Sequence, residues 1–364
     1  MRLRPLIVVL ALPMLVLVLA FGPACGAFSA EDVPADGGPP SGEASVGVDG
    51  GPGSAAEAGE GGSTEGGAVD GPRELASGFK ALSGITATET DVYFVEQEQG
   101  GIHAVPLDGS VSEHLVMATA GSPRSIALVG SVLYWCDVSG FQLKKVGTNG
   151  NGFSAAPADP TRRLVELARL PSALAVLTQH AAGSDGTVIR VDLDFAIATA
   201  GPMGFSNPVS IATRGAEVFW SEGSNGAIGH SADGVQDGPP YVTGEPDPGS
   251  IAVDANGVYW ASPSRNVVRA KIGPAPPFEI APNQSHPTSL ASDGENIYWI
   301  TSDGFIRRRP THTPGGVVDV ASGFQALTTN PPANASVDLV RGLAVTSRYV
   351  VWLTGDGKVM RAPK

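Results

Sequence analysis

The strongest constraint on this chain is repetition. After residue 80, one pattern of roughly forty residues returns along the sequence. Aligned on the apolar residue that opens each unit, the starts are Ile85, Ile126, Leu174, Ile211, Ile251, Leu290 and Leu343, at spacings of 41, 48, 37, 40, 39 and 53. An apolar–aromatic pair begins eight residues after six of them: Tyr93 and Phe94, Tyr134 and Trp135, Phe219 and Trp220, Tyr259 and Trp260, Tyr298 and Trp299, Val351 and Trp352. The unit at Leu174 lacks the pair but shares a second mark, a proline three residues before the start. That proline is Pro123, Pro171, Pro208, Pro248 or Pro287. Serine stands one before the start at Ser125, Ser210, Ser250 and Ser289.

Each unit reads as four short strands. In the fifth these are Ile251–Val253, Val258–Ala261, Asn266–Ile272 and Pro277–Ala281, with a turn at 254–257. One such sheet cannot bury both faces, so the units must pack around a ring, and the aromatic pairs supply the large apolar area between them. The proline mark fits an edge strand, since proline lacks the N–H a central strand needs. The expected fold is all-β, a seven-bladed β-propeller over residues 73–364. Its last unit ends at its third strand, Val359–Lys364. The missing fourth is expected at the start, because RELASGFKAL (73–82) matches VDVASGFQAL (318–327), the exit of the sixth unit. An N-terminal strand closing the last blade also removes an open sheet edge. The stretch 328–338 reads as an insert.

Ahead of the repeats the composition changes. Residues 1–24 read as an export signal: Arg2 and Arg4, an apolar run from Pro5 to Phe21, then small residues. The run holds 17 residues and Pro13, short of the about 20 a membrane span needs; a retained anchor is the other reading. Gly22, Pro23 and Ala24 suit cleavage by ordinary signal peptidase. They also resemble the lipobox of bacterial lipoproteins, which implies lipidation of Cys25, although Gly22 and Pro23 replace the usual Leu and Ala or Ser. Residues 25–72 then form a Gly/Ala-rich acidic tether, with nine carboxylates and no Lys or Arg after Cys25. It lacks the apolar surface to offset chain entropy and is expected to be disordered, spanning roughly 40 Å. Setting those carboxylates and the two leader arginines aside reduces the net charge from −13 to −6 for residues 73–364. Neither value suits a nucleic-acid binder.

The repeats resemble the YWTD repeats of lipoprotein-receptor-type propellers in SIAVDANGVYW (250–260), SLASDGENIYW (289–299) and HAVPLDG (103–109). That resemblance implies a propeller and leaves function open. It departs in two ways. The family usually has six blades where seven units are counted here. The aspartate closing its motif is Glu96, Asp137 and Glu222 in three units but Ser262, Thr301 and Thr354 in others.

Those three carboxylates read either as cation ligands ringing one face or as caps of their own loops. Repeated positions favour the caps. None of the six histidines occupies a repeated position on this alignment. Cys136, beside Trp135, reads as a buried inert thiol. Arg307–Arg309 reads as a solvated strand edge, and the Asp-Gly pairs at 303–304 and 356–357 as tight turns. Arg124, Asn207, Asp247, His286 and Arg341 lie just ahead of first strands and form the candidate ligand face at the mouth of a central channel. No catalytic residue, metal ligand or cofactor is assigned. The leading functional reading is an exported, lipid-anchored, monomeric binding or scaffold module of the outer membrane or cell surface, with a periplasmic or secreted form as the alternative. Its partner would be a protein, peptide or carbohydrate, and it would meet the membrane only through its lipid. The alternative function is a propeller enzyme of lyase or lactonase type with a metal in the channel.

Overall fold

The computed structural model of the protein describes residues 71–364, apart from 184, 313 and 328–341. The export signal, Cys25, the tether through residue 70, Arg341 and the insert lie outside the described residues.

Seven antiparallel sheets follow one another along the chain. Their first strands are Leu82–Ala87, Pro123–Val129, Arg162–Arg169, Pro208–Arg214, Ile251–Val253, Thr288–Ser292 and Leu343–Val345. Each is the terminal strand of its sheet. Each packs beside the first strands of the sheets before and after it, and the seventh meets the first. The fold is a seven-bladed β-propeller, with blades 1 to 7 opening on those strands.

Register explains the repeat. The residue that opens a blade pairs across to the second residue of the aromatic pair: Ile85 with Phe94, Ile126 with Trp135, Ile211 with Trp220, Ile251 with Trp260 and Leu343 with Trp352. Blade 3 obeys the same register with Leu167 opposite Val176. Its start is therefore Leu167, and the expected start at Leu174 is corrected. Leu174 belongs to the second strand, Ala173–His180, and Pro171 sits in the turn before it. The error arose because this blade has Ala175 and Val176 where others carry aromatics.

The seven interfaces between blades are built alike. The residue after each start is small: Thr86, Ala127, Ala168, Ala212, Ala252, Ala291 or Ala344. With the first aromatic it faces the opening residue and second aromatic of the next blade. Ala252 and Tyr259 thus meet Leu290 and Trp299, and Ala212 and Phe219 meet Ile251 and Trp260. A β-carbon alone at that place leaves room for an indole. At the blade 3–4 interface, where Ala175 replaces the ring, Phe205 from the fourth strand fills the space and lies 5.0 Å from Trp220. Cys136 is fully buried between blades 2 and 3, and burial pushes its thiol far above the ordinary range.

Polar bonds complete the junctions, at the seventh from Ser347 N to the Glu89 carboxylate. Ser83 donates to Pro123 O. The Ser125 hydroxyl accepts from Leu167 N, Ser210 from Ile251 N, Ser250 from Leu290 N and Ser289 from Gly342 N. Between blades 3 and 4 the acceptor is the buried Glu166 carboxylate, 2.8 Å from Ser210 Oγ and 2.9 Å from Ile211 N.

The seventh junction carries the closure. Arg73–Ser77 pairs antiparallel with Lys358–Pro363, Arg73 opposite Arg361 and Ser77 opposite Lys358. It fills the same outermost place as Val318–Ser322 in blade 6, as the matched segments require. Phe79 then turns in against Phe94, at 4.8 Å. Its carbonyl lies where a β-carbon on Gly357 would be, so this turn position, with φ of 79°, admits only glycine. Blade 4 departs from the four-strand expectation. Its sheet has three strands, and the fourth place holds the single bridge of Ile228 with Val242. Pro239 and Pro240 precede that bridge and cannot donate to a ladder.

Removing residues 73–79 should lower stability by roughly 3–5 kcal/mol, the scale of emptying a buried aromatic site. Ser250→Ala, which strands the Leu290 N–H, should cost about 1–3 kcal/mol. Denaturant melts of the two variants against the parent check both values, and a truncation that melts like the parent would refute the closure.

Candidate functional site

The two faces of the wheel differ. On the lower face, where first strands turn into second strands, polar groups are consumed locally. Asp254 Oδ1 accepts from Asn256 N and Gly257 N at 2.7 and 3.0 Å and from the Tyr259 hydroxyl, while Oδ2 takes the Ser292 hydroxyl of the next blade. Asp293 repeats the pattern with Glu295 N, Asn296 N, Tyr298 and Lys364. Burial and these carboxylates push the Tyr259 and Tyr298 phenols upward.

On the upper face, the three repeated carboxylates are all spent on hydrogen bonds, but only Asp137 caps its own loop through backbone as its position implied. Asp137 Oδ1 accepts from Ser122 N, Ser139 N and the Ser139 hydroxyl, and Oδ2 lies 2.6 Å from Lys144 Nζ. Burial pushes this carboxyl up, but Lys144 and the other donors override it and hold it down to about 2. Glu96 accepts from Lys80 N, and Glu222 from Trp220 Nε1 and Asn225. Opposite four of the six second aromatics stands a basic third-strand residue, Lys144 across from Trp135, Arg269 from Trp260, Arg307 from Trp299 and His103 from Phe94, while Gly229 and Met360 face Trp220 and Trp352. His103 thus does occupy a repeated position, contrary to the sequence expectation. It stacks on Phe94 at 5.2 Å and bonds Glu113 through Nδ1. Nor is the arginine run a solvated edge. Arg307 bonds Asp319 and Gln284, and Arg309 bonds Gly315 O and Ile280 O.

A second repeated position, four residues before the start, holds the chain in left-handed backbone just ahead of the first strand. It is Ala81 in blade 1, Asn207 in blade 4, Asp247 in blade 5 and His286 in blade 6, with φ of 53°, 52°, 48° and 43°. Three of the four precede proline. Blade 5 adds a feature of its own between its second and third strands, the 3-10 turn Pro263–Arg265, capped by left-handed Asn266. The Ser264 N–H reaches Asp247 Oδ2 at 3.3 Å, and Asn266 Oδ1 accepts from His286 N at 2.9 Å. A pocket of about 380 Å³ opens beside that turn, lined by Asn266, Asn283, Gln284, Ser285, His286 and Ser302. Asn283 is left-handed as well, with φ of 57°, so three strained residues surround one cavity. Such strain concentrates at binding sites.

The candidate residues therefore separate. Asp247 and His286 flank the blade 5 turn. Asn207 sits one blade away, its carbonyl accepting from Gly223 N. Arg124 is half-buried on the first strand of blade 2 rather than in a loop, and its charge acts on Cys136. Asn266, Asn283 and Ser302 were missed. The available signal was the crowding of amides and hydroxyls in APNQSHP (281–287) and after the second strands. The central channel encloses about 320 Å³ between the first strands, and Arg169 is the one charged residue among the described residues that line it. No group of three His, Cys, Asp or Glu side chains that could hold a metal ion is found among the described residues, so the alternative of a channel metal finds no donor set among them.

Comparison with known proteins supports the fold. No family model and no curated protein matches the chain. Among solved structures, a streptogramin B lyase superposes with a TM-score of 0.62 at 14% identity, over 80% of this chain and 96% of its own. A virginiamycin B lyase from Staphylococcus aureus gives 0.61 at 12%, over 80% and 98%. A catalytically inactive histidine-to-alanine variant of the latter, solved with quinupristin, gives 0.59 at 13%, over 80% and 99%. At these identities the likeness is one of fold.

Asp137→Asn should lower stability by about 2 kcal/mol at neutral pH, since it removes a charge-assisted acceptor. A depressed folded pKa contributes stability above the unfolded value near 3.9 and loses it as pH falls through the folded value. The difference between parent and variant should therefore shrink between pH 4 and about 2, read by denaturant melts across that range.

Proposed function

We propose that this protein is an exported, lipid-anchored binding module that takes its ligand on the upper face, between blades 5 and 6. One observation carries the reading. The pocket at the 263–266 turn presents the His286 imidazole and the Asn283 amide, neither of which bonds another described residue, on backbone already fixed in a strained form. On the lower face the comparable groups are spent on the fold. Anchoring rests on Cys25 following the apolar leader, and the acidic tether would hold the wheel clear of the envelope surface.

A second reading is supported by the same imidazole. The three structures compared above are lyases, and one of them is a catalytically inactive histidine-to-alanine variant. An unpartnered histidine over a cavity suits proton transfer. His286 would then be the acid or base of an elimination.

Fragment screening of the full-length protein by NMR tests the binding reading. Hits should shift resonances of 263–266, 283–286 and 302; hits confined to the lower face, or none, would refute it. Incubation with quinupristin followed by mass spectrometry separates the second reading. Unchanged retention and fragmentation are expected for a binder, whereas a ring-opened isomer of the same mass, with altered retention and fragmentation and lost in His286→Ala, would establish the lyase.

A further inference from the structure

We infer that the ligand of the blade 5–6 pocket is a neutral oligosaccharide, an inference that rests on this pocket being the binding site. Its lining contains amides, hydroxyls and one imidazole, with no Lys, Arg, Asp or Glu. Of the nearby charges, Asp303 accepts from Ser285 Oγ at 2.9 Å and Arg307 is held by Gln284 and Asp319, while Arg265, next to Asn266, is exposed outside the lining. No carboxylate, ammonium or guanidinium faces a ligand from the lining itself.

The groups left over are mixed. Asn266 has its Oδ1 occupied by His286 N, so it offers its N–H donors. Asn283 offers a donor and an acceptor, and a neutral imidazole offers one of each. The Ser285 and Ser302 hydroxyls donate to Asp303 and to Ser285 O, so their oxygens remain as acceptors. A hydroxyl is both donor and acceptor, so a run of neighbouring hydroxyls can meet such an alternation where an ion or an apolar group cannot. An extended peptide is recognised through a free strand edge, and here every lining residue lies in a loop or turn. No aromatic ring lines the cavity to stack on a sugar face, so affinity rests on hydrogen bonds and should be weak, on the order of millimolar.

The floor provides a reporter. Gln284 is buried, and its Oε1 accepts from Trp299 Nε1 at 3.0 Å, so the indole sits directly beneath the site. Full-length protein is titrated with maltotriose, cellotriose and chitotriose, with trigalacturonate as the charged control and acetyl-trialanine amide as the peptide control. Binding is read by tryptophan fluorescence and calorimetry. Asn283→Gly and His286→Gly remove the side chains while keeping the left-handed backbone, so both variants should fold, checked by their melting midpoints. At least one neutral trisaccharide should bind, weaken about tenfold or more in each variant, and be unchanged in Ser224→Ala on the matching turn of blade 4. Binding of the peptide or the charged sugar alone, lost in the same variants, would overturn the sugar and leave the site standing. Sugar binding insensitive to both variants would place it elsewhere and overturn the inference. No binding by any probe, together with a fragment screen empty at this pocket, would overturn inference and site alike.

Discussion

Each innermost strand of this wheel is a sheet edge, and its main-chain N–H groups face a neighbour rather than a partner strand. A buried N–H without an acceptor costs about 1–3 kcal/mol, and a ring of such strands multiplies the cost. The preceding blade supplies the acceptor: a serine hydroxyl at four junctions and the Glu166 carboxylate at a fifth. These short bonds fix the distance between adjacent first strands. That distance is what lets Ile251 and Trp260 of one blade meet Ala212 and Phe219 of the last. The apolar layers supply most of the stabilisation, and the hydroxyl belt determines that they form at one spacing. At Gly84 the first strands of blades 1 and 2 come so near that a β-carbon would strike Arg124 O.

Much of this was legible because propeller architecture writes itself in a repeat. The aromatic pair marked six blades, and the match of 73–82 to 318–327 located the closing strand. The serine mark was visible too, but its purpose was not, because the partner of Ser250 is a backbone N–H forty residues on. Blade 3 was set out of phase for a physical reason. Without rings at 175 and 176 the phase depended on a proline, and a turn proline looks the same in sequence as one ahead of a first strand. The ring that replaces them, Phe205, comes from the opposite end of the blade. The four-strand rule failed in blade 4 where two prolines withdrew donors.

The site was less legible than the fold because its residues come from three separate segments, each unremarkable alone. His286 and Asp247 were found through their place ahead of a first strand, a place that proves to be a left-handed hinge shared by several blades. That generality explains why Asn207 entered the same set without joining the pocket, whereas Arg124, two residues before Ile126, lies on the first strand itself. What singles out blades 5 and 6 is an addition, the 3-10 turn at 263–265. Asn266, which caps it, spends its carbonyl oxygen on His286 N, a contact between residues twenty apart that no local pattern announces.

That added turn bears on how a rigid wheel acquires a function. The interfaces between blades leave little freedom, since their residues are buried and complementary on both sides. The lower turns are likewise closed by Asp254, Asp293 and their tyrosines. Change is tolerated where the chain passes over the upper rim, and there the framework still fixes the outcome. Pro287 and the bond to Asn266 set the His286 backbone, and the buried Gln284–Trp299 pair sets the floor. The backbone that carries the exposed side chains is therefore fixed before a ligand arrives. On the proposed reading, that fixed backbone lowers the ordering entropy binding would cost, which would let a site made of amides, hydroxyls and one imidazole hold a ligand that offers neither charge nor large apolar area.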